Sequence, residues 1–130
     1  MKLRSLDEVS ELVKGRKVIL AAGSFDIVVA QHVRFLQEAR ASGDVLVVAV
    51  RSDTSLKSSR DPRSPILDEG ERVALVSSLR CVDFVVLLDE PDAGHLLSVL
   101  RPAAYVEEPH YQGQLIADRI AGNSGNSRAH

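Results

Sequence analysis

The sequence predicts an α/β protein in which one parallel sheet lies between two layers of helices, a three-layer α/β/α sandwich. Two observations carry that prediction. Four short segments, 17–22, 45–50, 82–88 and 103–107, are apolar almost throughout, the pattern of strands covered on both faces. Amphipathic stretches separate them, and parallel strands need crossover connections that helices supply. A chain of 130 residues with 45% hydrophobic and 26% charged side chains has material for one core. Residues 1–121 read as a single domain, and 122–130 as a flexible polar tail of Gly, Asn and Ser, too small and polar to pack.

The elements follow in order. Ser5-Leu6-Asp7-Glu8 has capping-box spacing and opens a short helix to about Val13, before Lys14-Gly15-Arg16 ends it. Lys17 to Ala22 is the first strand. Gln31 to Ser42 reads as a helix with Val33, Leu36 and Ala39 inward beside Phe35, and Gly43 is its natural stop. Val45–Val50 is the second strand. Arg51 to Pro65 is polar, basic and rich in Ser and Pro, a long loop with one helical turn, and loops of that length in a small domain tend to be functional. Asp68-Glu69-Gly70-Glu71 is a second capping box and opens a helix through Leu79, with Val73, Val76 and Leu79 inward. Val82–Leu88 is the third strand. A helix from His95 to Leu100 stops at Arg101-Pro102, ahead of a fourth strand at Ala103–Glu107. A last helix is expected over Gln112 to Ala121.

Charge and composition exclude several classes. Sixteen Lys and Arg against 18 Asp and Glu leave a net charge of −2, with no basic excess to attract nucleic acid. No apolar run approaches the roughly 18 residues of a membrane span, and the start does not read as a signal peptide. One cysteine, Cys81, excludes an intramolecular disulfide and a multi-thiol metal site, so a cytoplasmic location is the default. Cys81 itself reads as a small apolar filler.

In open parallel sheets ligands sit beyond the carboxyl ends of the strands. The segments to inspect are therefore 23–32, 51–65, 88–92 and 107–111. Gly23-Ser24-Phe25-Asp26 after a strand, followed by a helix with His32 in its first turn, suits an anion: a glycine permits a sharp turn, and free N–H groups face the ligand. A P-loop is excluded by the missing Gly-Lys-Ser/Thr, a dinucleotide fingerprint because only Gly23 stands after the first strand where three spaced glycines are needed, and a phosphoacceptor receiver by the lack of paired acids. Glu107, Glu108 and His110 lie too close together in sequence to argue for more than a polar loop, so no metal site is assigned.

The run from Ala22 to Ala39, with Gly23-Ser24-Phe25-Asp26 and Val29-Ala30-Gln31-His32, resembles the signature of the cytidylyltransferase-like nucleotidyltransferases. In that family Gly-x-Phe-Asp is followed, after two residues, by His-x-Gly-His. The similarity is greatest to the adenylyltransferase domain that forms ADP-heptose and to glycerol-3-phosphate cytidylyltransferase. It continues through Gly43–Val50, Ser52-Asp53, Pro65-Ile66, Glu71-Arg72, Leu79–Val85 and Leu100-Arg101-Pro102, and covers about residues 5–111. The resemblance implies a Rossmann-like fold and transfer of a nucleotidyl group from ATP or CTP to a sugar or polyol phosphate, usually with Mg²⁺, releasing pyrophosphate. It implies His32 and Lys57 as catalytic residues, and Gly23, Ser24, Phe25, Arg60, Arg63 and Arg72 as nucleotide-binding ones. Arg72 has a second reading, a pairing with Asp68 or Glu71. Asp26 holds the loop in this family, and a homodimer is implied as well.

Departures from the pattern oppose a working site. Val29 replaces the first signature His, Gln31 the signature Gly, and Ser64 the Arg of Arg-Pro-Ile. Val106-Glu107-Glu108-Pro109-His110-Tyr111 stands where the family has Val-Lys-Gly-Gly-Asp-Tyr, so a cation is replaced by anions that repel triphosphate. The alternative expectation is a catalytically inactive member that serves as a nucleotide-binding or assembly module.

Overall fold

A computed structural model describes residues 2–26, 28, 30–57 and 65–108. The elements are α1 (Leu6–Leu12), β1 (Val18–Gly23), α2 (Ala30–Ala41), β2 (Val45–Arg51), α3 (Asp53–Lys57), α4 (Glu69–Ser77), β3 (Phe84–Leu88), α5 (Gly94–Leu100) and β4 (Ala104–Glu107). The strands form one parallel sheet in the order β3-β2-β1-β4, with Val18 opposite Val45, Ile19 opposite Ala104 and Val47 opposite Phe84.

Alternation along the buried strands builds two cores. Ile19, Leu46, Val48 and Val50 face Phe35, Leu36 and Ala39 of α2 and Val73 and Val76 of α4. Leu20, Val45, Val47 and Ala49 face Val9 of α1 and Leu96 and Leu100 of α5. Two helices on each face make the three layers that the both-faces-apolar strands predicted. The outer edge of β3 is extended by the N-terminal segment: Leu3 bridges Val85, the Arg4 N–H donates to Val85 O at 2.9 Å, and the Val85 N–H donates to Lys2 O at 3.0 Å. Among the described residues no helix is long and apolar enough to cross a membrane.

Both capping boxes form, with Ser5 and Glu8 closing the start of α1 and Asp68 and Glu71 that of α4. Three details differ from expectation. The inward face of α2 is His32, Phe35, Leu36 and Ala39, while Val33 is half-buried, so the stripe is turned toward His32. Gly43 has no left-handed backbone. Its missing side chain instead lets the chain pass Ile19, whose Cγ1 would lie 2.7 Å from an added Cβ. Leu79 lies beyond the end of α4 and packs against the core from the following turn. The expected helix at 112–121 and the tail fall outside the described residues.

Candidate functional site

The carboxyl ends of all four strands open on one cavity of about 360 Å³, lined by Ala22 and Gly23 of β1 and Ser24 just after it, Arg51 of β2, Leu88 of β3 and Tyr105 and Glu107 of β4, with Glu108 just beyond. Strand order reverses here, since β1 is flanked by β2 on one side and β4 on the other, which is where open sheets take their ligands.

At this end β1 gives way to a strained turn. Phe25 has φ +50°, a left-handed conformation rare for a bulky residue, and it is held there from several sides. Its ring is fully buried in the core between α2 and the sheet. The Asp26 carboxylate accepts the N–H groups of Ile66 and Leu67, both at 2.9 Å, which ties the turn to the segment before α4 in the loop-holding role expected of it.

The turn directs two successive N–H groups at one point. The Ser24 N–H donates to Glu108 Oε1 at 2.9 Å, the Phe25 N–H to the same oxygen at 3.3 Å, and the Ser24 hydroxyl also lies 3.1 Å from it. His32, in the first turn of α2 and only 4% exposed, brings Nε2 to 2.8 Å from Glu108 Oε2, with its ring edge-on to Phe25. Glu108 is delivered by β4, whose ladder it extends by donating its N–H to Ala22 O at 2.8 Å. Gly23 makes the room: a Cβ there would lie 2.5 Å from Glu108 Cβ. Burial alone would raise the Glu108 carboxyl, but the His32 hydrogen bond and the Phe25 and Ser24 N–H groups hold it below the usual glutamate range. The arrangement is an anion cradle of backbone and imidazole donors with a carboxylate in it.

Around the cradle the cavity carries further charge. Arg51 ends β2 with one guanidinium nitrogen donating to Pro91 O at 3.1 Å, while its Nε is buried with no hydrogen-bond partner among the described residues. The Tyr105 hydroxyl donates to Glu107 Oε2 at 3.0 Å, and burial together with the Glu107 charge pushes it well above the usual phenol range.

Gly23, Ser24, Phe25 and His32 therefore converge. Lys57 does not join them: it is the exposed last residue of α3, and the neighbouring Leu56 is the one that lines the cavity. Arg72 is corrected in position. It is fully buried behind the turn, donating to Ser24 O at 2.8 Å, Arg51 O at 2.6 Å, Leu67 O at 3.1 Å and Asp53 Oδ1 at 2.7 Å. Its acid partner is thus Asp53, since Asp68 and Glu71 are engaged in their own capping box, and it supports the cradle from behind. The Arg72 hydrogen bond leads in outweighing burial at Asp53 and lowers its carboxyl. Arg60, Arg63, Ser64, Val29 and His110 lie outside the described residues. Gln31 is half-buried in the first turn of α2.

Two residues of the site were not singled out as its donors or occupants. Arg51 was signalled by a cation at the carboxyl end of an apolar strand. The sequence alone gives Glu108 the roles of a repelling charge and a polar-loop residue, because its seat is defined by Ser24, Phe25 and His32, all far away in sequence.

The cytidylyltransferase-like family pattern matches residues 20–112. The chain is 34% identical over 115 residues to the bifunctional protein HldE of Geobacter metallireducens, covering 85% of this chain and 24% of that protein. It is 38% identical over 116 residues to the HldE of Campylobacter concisus, covering 87% and 25%. The chain thus spans about a quarter of the length of these curated relatives. Among solved structures, the lipopolysaccharide core biosynthesis protein from Thermoplasma volcanium superposes with a TM-score of 0.64 at 34% identity, covering 70% of this chain and 73% of that one. A match that takes in most of the chain, including the carboxyl end of β1, the Gly23–Asp26 turn, His32 and β4, agrees with the switch-point cradle, and the chain belongs to the cytidylyltransferase-like family.

Proposed function

We propose that this chain is a nucleotidyl-transfer domain: an oxygen of a sugar or polyol phosphate attacks the α-phosphorus of ATP or CTP, the bond to the bridging oxygen breaks, and pyrophosphate leaves. The observation that carries this reading is the convergence of the Ser24 and Phe25 N–H groups and His32 Nε2 on one anion at the strand ends. Phosphoryl-type transfer depends on positioning and on donors fixed in advance around the phosphate oxygens, which is what these groups offer. Arg51 supplies positive charge to the same cavity, and the fully buried Arg72 keeps the turn in place.

Magnesium bound with a triphosphate needs one or two carboxylates beside phosphate oxygens and water, and Glu107 and Asp92 on the cavity wall fit that requirement. When bound, the ion neutralises charge on the phosphates. Among the described residues no group of three or more His, Cys, Asp and Glu forms a closed metal site.

Purified protein given Mg²⁺, ATP or CTP, and a panel of sugar and polyol phosphates is expected to release pyrophosphate. His32→Ala should lower that rate about 100- to 1,000-fold, the usual cost of removing one preorganised donor. Absence of release across the panel would overturn the enzymatic reading. One observation favours the second reading, a binding or assembly module: the donors of the cradle are already engaged by Glu108.

A further inference from the structure

We propose that Glu108 determines what the strand-end cradle admits, by seating its own carboxylate on the donors that would otherwise hold a phosphate group. The ligand's nucleotide identity rests on the transfer reading above, whereas the displacement itself concerns only the anion.

The geometry is that of a bound oxyanion. Glu108 Oε1 lies within 3.3 Å of the Ser24 N–H, the Phe25 N–H and the Ser24 hydroxyl, and Oε2 lies 2.8 Å from His32 Nε2. Successive backbone N–H groups aimed at one point form a concavity selective for anions of any origin. Here the anion belongs to the chain. Its entry depends on Gly23, because any side chain at that position would overlap the Glu108 Cβ. The backbone bond from Glu108 N–H to Ala22 O keeps the carboxylate in register with the turn.

Glu107 provides an internal comparison. It lines the same cavity and carries the same charge, but it is exposed and its carboxylate accepts from the Tyr105 hydroxyl rather than from the cradle. Long-range repulsion of a polyanion would involve both glutamates, whereas competition for the donors involves Glu108 alone. A tethered carboxylate competes at high effective concentration, so the apparent affinity of an external phosphate is its intrinsic affinity multiplied by the fraction of molecules whose cradle is open. With Glu108 seated, the phosphates of a nucleotide add little to binding, and a nucleoside should bind about as well as its triphosphate.

The test is calorimetric titration with inorganic tripolyphosphate, with ATP and adenosine in parallel, on the wild-type chain and on Glu108→Ala, Glu108→Gln and Glu107→Gln. Glu108→Ala is expected to bind tripolyphosphate at least about tenfold more tightly than wild type, with Glu107→Gln within about threefold of it. Glu108→Gln keeps the size of the side chain while removing its charge, and should gain about threefold or more; it carries the test if the alanine variant does not fold. Amide resonances of Ser24 and Phe25 should shift on adding tripolyphosphate to either Glu108 variant. Equal gains from the Glu107 and Glu108 variants, no gain from either Glu108 variant, or shifts that leave Ser24 and Phe25 untouched would overturn the proposal. If tripolyphosphate gains affinity while neither ATP nor adenosine binds, the cradle proposal stands and the transfer reading falls. If wild type binds ATP at least about tenfold more tightly than adenosine and Glu108→Ala changes nothing, the reverse holds.

Discussion

A carboxylate taken out of water is kept ionised only by donors that replace the lost hydration, and Glu108 shows how finely that balance is set. Burial raises its pKa, and the His32 hydrogen bond with the Phe25 and Ser24 N–H groups brings it below the ordinary value of 4.5. A carboxyl with a lowered folded-state pKa stabilises the native chain above its unfolded pKa, and that contribution disappears as pH falls through the lowered value. Wild-type stability should therefore drop below about pH 4.5 more steeply than that of Glu108→Gln, whose side chain does not titrate. Urea midpoints of both chains at pH 7, 5, 4 and 3 measure the difference, and other acids such as Asp53 and Glu8 cancel because both chains carry them. Parallel curves would contradict the ionised, donor-held state. At this scale half of the cradle was legible beforehand, because Gly23, Ser24, Phe25 and His32 are near neighbours in sequence. The occupant was not, since a local reading assigns Glu108 its charge but no partner.

The helices were legible where side chain and backbone act within one turn, as in the Ser5/Glu8 and Asp68/Glu71 boxes, whose three-residue spacing is visible in the sequence. Tertiary packing corrected what spacing alone could not resolve. The Val33 stripe of α2 yields to a face containing His32, because the helix must present that imidazole to Glu108, just past β4, as well as Phe35 and Leu36 to the sheet. The position of α4 relative to the strand ends rests largely on Arg72. From one buried guanidinium it donates to Leu67 O ahead of α4, to Ser24 O after β1, to Arg51 O at the end of β2 and to Asp53 of α3. Arg72→Met fills similar volume but leaves those acceptors without a donor, and should cost about 3 kcal/mol, since part of Asp53 remains accessible to water. Equilibrium urea unfolding checks this, and a loss below about 1 kcal/mol would show that α4 is held by Val73 and Val76 packing instead.

For the molecule as a whole, apolar runs announced four strands and their parallel sense, but the order β3-β2-β1-β4 appears only when the chain is folded. That order gives the strands unequal surroundings. β1 and β2 each pair on both sides, β3 gains the Lys2–Arg4 segment on its outer edge, and β4 pairs only with β1 among the described strands. Glu108 is therefore mounted at the end of the sheet's shortest strand, where opening requires little loss of core. Native-state hydrogen exchange should show Leu20 and Val48 amides opening only with global unfolding. The Glu108 amide, bonded to Ala22 O, should open at a free energy lower by about 2 kcal/mol or more. Such a difference would mean that the carboxylate can leave the cradle while both cores stay packed, so an anion can displace it without unfolding the domain. Equal protection of the Glu108 amide and the Leu20 and Val48 amides of the central strands would instead make Glu108 part of the global fold, and displacement by a ligand would then draw on the stability of the whole sheet.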